Sequence, residues 1–124
     1  GKNFVDTILT KSKREGLLKV VDDQVGSPTY TKDLAKAIRA LTDKKIMDFG
    51  IYHVSNSGGV SWYKYAKAIL NISGIKAKVV PISSKELAKP ARRPAMSVMD
   101  NSKFEKVTGY RMRGSKSALQ EYLN

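Results

Sequence analysis

The chain has 124 residues, 41% of them apolar, a formal net charge of +12 and no cysteine. One modest domain with a packed core fits that length and composition; intrinsic disorder, a disulfide framework and a thiolate metal site do not. No run approaches the roughly 18 apolar residues of a membrane span, and the N-terminus has no signal-peptide pattern. The missing cysteines suit a reducing compartment. Gly1 standing in place of Met suggests a piece of a longer protein. Charge is uneven, since residues 1–62 carry +3 and residues 63–124 carry +9. Such an excess favours anionic partners: nucleic acid, an acidic membrane surface or a phosphorylated small molecule. Lys76, Lys78, Lys85, Lys89, Arg92 and Arg93 are spread over several elements, however, and a solvated surface accounts for them as well.

In chain order, Phe4, Val5, Ile8 and Leu9 form one face of a helix expected over 4–14, with Gly16 beyond its end. Leu17, Leu18, Val20 and Val21 read as a buried strand. Leu34, Ala35, Ile38 and Leu41 predict a helix over about 32–44, with Thr31 as N-cap and Asp33 at the positive end of its dipole. Ile51 to Val54 reads as another short strand, followed by a polar turn at Asn56-Ser57-Gly58-Gly59. Ser61 can cap a helix running to about Ser73, with Trp62, Tyr65, Ala66, Ile69 and Leu70 buried. Val79, Val80 and Ile82 form a third strand, broken by Pro81. Ser83-Ser84-Lys85-Glu86 fits a capping box and a short helix over 84–88. Pro90 to Pro94 is an extended, Arg-bearing connection. A short helix starts at Asp100 or Asn101 and ends at Gly109, and Ser115 caps a last one. Strands separated by helices predict an α/β fold with few, short, mostly parallel strands.

Residues 22–35 are the most informative stretch. A strand end, a polar turn holding Gly26 and Pro28, and a helix start form a common address for an anionic ligand. A well-made connection between strand and helix explains the same spacing. Adjacent Asp22 and Asp23 face opposite ways on an extended backbone, which argues for capping rather than a paired-carboxylate site. His53, the one histidine, sits in an apolar strand with no nucleophile nearby and reads as a packed or edge residue. Tyr63 and Lys67 satisfy the Tyr-x-x-x-Lys pattern of a reductase acid and its partner. No Gly-rich turn after an early strand precedes them, so the pattern reads as a chance pairing on an amphipathic helix.

Val20-Val21-Asp22-Asp23-Gln24-Val25-Gly26-Ser27-Pro28-Thr29-Tyr30-Thr31-Lys32-Asp33-Leu34-Ala35 closely resembles a segment of the dTDP-4-dehydrorhamnose reductases, which are extended short-chain dehydrogenase/reductases. Gly1-Lys2-Asn3-Phe4-Val5, Ile51-Tyr52-His53-Val54-Ser55-Asn56, Ser61-Trp62-Tyr63, Arg93-Pro94 and Asp100-Asn101-Ser102-Lys103-Phe104 follow that family's order. The resemblance covers nearly all of residues 1–124 but only the family's C-terminal, substrate-binding part, with the Rossmann core missing.

It implies one jaw of an NADPH-dependent enzyme that reduces dTDP-4-dehydro-L-rhamnose to dTDP-L-rhamnose for cell-surface polysaccharide, in the cytoplasm. NADPH and the catalytic Tyr and Lys would belong to the missing N-terminal domain, leaving this piece inactive alone. Asn3, Gln24, Thr29 and Arg93 become candidate contacts for the dTDP-sugar, although capping or surface duty fits each as well. Related enzymes often carry an arginine where Gly26 stands, so the nucleotide contact differs here. The resemblance also implies that the strand at 17–21 pairs with that at 78–81, while 51–54 joins a larger sheet formed by the missing part. Isolated, that strand would be an open edge or pair with a second copy as a homodimer. Family members leave room for a Mg ion shared with the missing half, which these residues do not demand. A non-catalytic relative, like the methionine adenosyltransferase regulatory subunit, is the alternative. A free-standing basic nucleic-acid-binding module is more remote.

Overall fold

A computed structural model describes residues 3–43, 48–88 and 90–124. Gly1, Lys2, Lys89 and the expected helix end at Lys44 lie outside the described residues. The element order is α1 (Phe4–Arg14), β1 (Leu17–Val21), β2 (Val25–Gly26), α2 (Thr31–Asp43), β3 (Val60–Ser61), α3 (Trp62–Ile72), β4 (Lys78–Ile82), α4 (Ser84–Leu87), β5 (Met96–Ser97), α5 (Ser102–Thr108) and α6 (Ser115–Leu123). The architecture is α/β, as expected. The described residues fall into two compact units, one made of those within 1–26, 60–97 and 123, the other of those within 27–59, 98–122 and 124.

In the first unit, β1 and β4 pair in parallel from Leu17↔Lys78 to Val21↔Ile82. The lysine backbone N–H of Lys78 donates to Gly16 at 3.0 Å and that of Asp22 to Ile82 at 3.0 Å. Residues 78, 80 and 82 therefore turn their backbone groups toward β1. Pro81 turns away, so its missing N–H interrupts no ladder bond and β4 runs through it unbroken. Val5 and Ile8 of α1 and Tyr65, Ala66, Ile69 and Leu70 of α3 are buried with Leu18, Val20 and Val21. Phe4 packs its ring 4.7 Å from Trp62 and 6.1 Å from Tyr65.

A second sheet in this unit has the order β3-β2-β5. Its centre, Val25–Gly26, pairs antiparallel with Val60–Ser61 and parallel with Met96–Ser97. What reads as a turn in the sequence is thus a short central strand. A Cβ at Gly26 would stand 3.0 Å from the Ser97 hydroxyl oxygen, so a side chain there would require that hydroxyl to shift by a few tenths of an ångström.

The second unit is built on Phe104, Ala37 and Met112, with Leu41, Tyr52, Val54 and Tyr110 packed against them. Helices α2 and α6 start one residue from expectation. Thr31 is the first helical residue rather than the cap, and Gly114 rather than Ser115 is the N-cap of α6. Residues 51–54 do not form a strand among the described residues. Ile51 and His53 are exposed while Tyr52 and Val54 are half-buried, so the alternation of a strand is present without a ladder partner. His53 is accordingly a solvent-facing residue, not a packed one.

Candidate functional site

The two adjacent carboxylates at the end of β1 serve different helices. Asp22 accepts from the Ser61 hydroxyl, and Ser61 in turn caps α3 by accepting from the Lys64 backbone N–H at 3.2 Å. Asp23 accepts from the backbone N–H of Ser84 at 2.8 Å and from its hydroxyl at 2.7 Å. Those two bonds hold the Asp23 carboxyl below the usual carboxylate range. Both acids thus complement helix N-termini, α3 and α4. The capping box at α4 is complete, since Ser83 and Glu86 exchange bonds and these keep Glu86 low.

Gln24, half-buried beside them, donates from Nε2 to the Ser84 hydroxyl oxygen at 2.7 Å. Its backbone carbonyl accepts from Trp62 at 3.3 Å. Asn3 is the N-cap of α1 and accepts from the Asp6 backbone N–H at 2.8 Å. Arg93 is exposed and makes no ion pair among the described residues. Asn3, Gln24 and Arg93 all belong to the first unit, yet no hydrogen bond among the described residues joins them directly. For Asn3 the capping role is concrete. Replacement by Ala is expected to lower stability by about 1 kcal/mol, and Asp or Ser should restore most of it, as urea unfolding would measure.

Thr29 belongs to the second unit. Its hydroxyl donates to the Ser27 carbonyl at 2.9 Å and accepts from the Asn56 backbone N–H at 3.2 Å. Asn56, fully buried, also accepts from the Tyr30 backbone at 2.7 Å and donates to Asp33 at 2.8 Å. Asp33 is closed on its other side by Arg113 Nε at 2.8 Å, whose Nη2 reaches Glu121 at 2.7 Å. These two acids raise the Arg113 guanidinium above its already high value. The sequence reading missed this lattice around Thr29 and missed Ser84 as the partner of Gln24. The capping-box pattern at 83–86 was the one local signal pointing to Ser84.

Tyr63 and Lys67 flank a surface hollow with Asn71 of α3 and Val79 of β4, and Lys67 Nζ lies 5.5 Å over the Tyr63 ring. None of the four candidates lines it. Among the described residues no cluster of three or more His, Asp or Glu could hold a metal ion. No described helix is long and apolar enough to cross a membrane.

Residues 1–124 match the family described as the RmlD substrate binding domain. The chain is 45% identical over 123 residues to the spore coat polysaccharide biosynthesis protein SpsK of Bacillus subtilis (strain 168), covering 99% of this chain and 42% of that protein. It is 38% identical over 125 residues to the dTDP-4-dehydrorhamnose reductase of Streptomyces griseus, covering 98% and 41%. Among solved structures, a dTDP-4-dehydrorhamnose reductase from Clostridium acetobutylicum ATCC 824 superimposes with a TM-score of 0.93 at 41% identity, covering 99% of this chain and 43% of that one. The enzyme of the same name from Bacillus anthracis str. Ames, solved in complex with NADP, gives 0.88 at 35% identity over 98% and 42%. The chain therefore spans about two fifths of the length of these relatives. From the match over its whole length, the chain belongs to the RmlD substrate-binding domain family.

Proposed function

We propose that this chain is the dTDP-sugar-binding portion of a reductase that converts dTDP-4-dehydro-L-rhamnose to dTDP-L-rhamnose, in the cytoplasm, for cell-surface polysaccharide. The observation that carries this reading is the family match over residues 1–124. Relatives named dTDP-4-dehydrorhamnose reductase support it. NADPH would supply the hydride to the 4-keto carbon when bound by the remainder of the enzyme. The described residues of this chain do not fit a dinucleotide cradle. Gly26, the glycine nearest a strand end and helix start, has its backbone in the ladder between β3 and β5, with the Ser97 hydroxyl 3.0 Å from where a Cβ would stand. The chain's residues bind and orient the sugar nucleotide, and a homodimer is its proposed assembly.

In this reading Gln24 contacts the sugar, Asn3 adds a polar contact at the start of α1, and Arg93 clamps the diphosphate; Thr29, in the second unit, is a candidate contact taken by itself. An exposed guanidinium with no acidic partner among the described residues is free to make a bidentate, charge-assisted contact with phosphate oxygens. Titration of the labelled chain with dTDP should move amide signals around residues 22–30 and 92–94. Arg93→Ala should weaken binding on the order of tenfold or more. The chain by itself should not oxidise NADPH with a keto-sugar nucleotide. Turnover by this chain alone, or no shift at those residues at millimolar dTDP, would overturn the reading.

A further inference from the structure

We propose that Asp23, acting through Ser84, fixes Gln24 as a hydrogen-bond acceptor toward the ligand, so that this position selects a sugar hydroxyl rather than a phosphate oxygen. The inference rests on the reading of Gln24 as a substrate contact.

The assignment follows from counting protons. An ionised Asp23 can only accept, and both of its oxygens are met by Ser84: Oδ2 by the backbone N–H at 2.8 Å, Oδ1 by the hydroxyl at 2.7 Å. Ser84 has one hydroxyl proton, and Asp23 takes it. At 2.7 Å from Gln24, the Ser84 oxygen can then only accept, which requires Nε2 of Gln24 to point at it. Chemistry, not shape, decides which end of the amide faces inward, because oxygen and nitrogen are nearly alike in size. Oε1 is left pointing away, and no described residue donates to it.

A fixed carbonyl oxygen pairs with a donor such as a sugar hydroxyl and repels the oxygens of a diphosphate. Asp23→Asn changes almost no volume but reverses the relay. The new amide would accept the Ser84 backbone N–H and donate to the Ser84 oxygen. Ser84 would then send its proton to Gln24, whose amide turns over and presents Nε2 instead. Asp23 is thus a positioning residue for specificity, one step removed from the ligand.

Two readouts test this. In the labelled chain, one Gln24 side-chain amide proton should show the shift and the nuclear Overhauser contact of a bond to Ser84. Asp23→Asn and Ser84→Ala should each abolish it, and Ser84→Ala carries the test if the aspartate variant fails to fold. Unchanged Gln24 amide signals in both variants would overturn the proposal whether or not nucleotide binds. By calorimetry, the preference for dTDP-L-rhamnose over dTDP should fall about tenfold in Asp23→Asn. It should fall no further in the Asp23→Asn/Gln24→Ala double variant than in Gln24→Ala alone. Effects that add independently would also overturn it. If the unmodified chain binds neither nucleotide, the substrate reading fails, while the amide signals still decide the relay.

Discussion

Replacing Phe104 with alanine is expected to cost about 4 kcal/mol of stability, the largest single effect among the core positions of the second unit. Phe104 is fully buried on α5, packed with Ala37 and Met112, and its ring meets Tyr110 edge-on at 6.1 Å between centroids. Ala37 and Met112 are the other buried members of the cluster, and Leu41, Tyr52, Val54 and Tyr110 pack around its edge. Its neighbours are also tied down. Asn101, at the start of α5, exchanges two hydrogen bonds with the Ser55 backbone at 3.0 and 2.8 Å, and Thr108 at the other end bonds back to Phe104 at 2.7 Å. A site so fenced keeps its cavity, which is the condition under which truncation costs most. Against a total of about 5–15 kcal/mol for an ordinary domain, the loss leaves the fold marginal at room temperature. Urea unfolding would read it as a lower midpoint at constant slope. Phe104→Leu should recover more than half. A cost below 1 kcal/mol for the alanine would mean that the three-residue cluster is not the core of this unit.

How much of this was legible follows from the range of each signal. The capping box at Ser83 and Glu86 and the cap at Ser61 are written within four residues, and both appear as read. The β1–β4 pair followed from family resemblance, not from pattern, because parallel partners 61 residues apart leave no joint mark on either strand. Val25–Gly26 was hidden for a different reason. A two-residue strand has no periodicity, and a glycine in it looks like a turn until the partner strand is in place. At 51–54 the reverse holds: the alternation is plain in the sequence, but alternation describes a face, and a strand also needs a neighbour. Asp22 and Asp23 do cap separate helices, but the backbone bends at both residues, past the end of β1, rather than running extended, and their serine partners lie 39 and 61 residues away. Ser84 therefore read as a cap residue alone, and its hold on Gln24 emerged only with the fold.

Asp33→Ala is expected to cost about 3 kcal/mol at neutral pH, because it strands what it leaves behind. Asp33 is 3% exposed, and its Oδ2 receives both Asn56 Nδ2 and Arg113 Nε at 2.8 Å. Removing it unpairs a donor of the fully buried Asn56, the residue that also holds the Tyr30 backbone and donates to the Thr29 hydroxyl. The arginine suffers less, since it keeps Glu121 and is partly in water. The ion-pair origin of the effect has its own signature in pH. Burial pushes the Asp33 carboxyl up, but the hydrogen bonds from Arg113 and Asn56, with the charges of Arg113 and Lys36, outweigh it and bring the carboxyl below its ordinary 3.8. A depressed carboxylate contributes its full stability above the unfolded value and loses it as pH falls through the folded one. The gap between the natural chain and Asp33→Ala should therefore be constant from neutrality to about pH 5 and shrink below pH 3.8, as urea midpoints at pH 7 and pH 3 would show. Arg113 stays charged throughout that window, so any narrowing belongs to the carboxylate. A gap equally wide at pH 3 would assign the cost to lost packing around Asn56 instead, and the turn carrying Thr29 would then be held by shape rather than by charge.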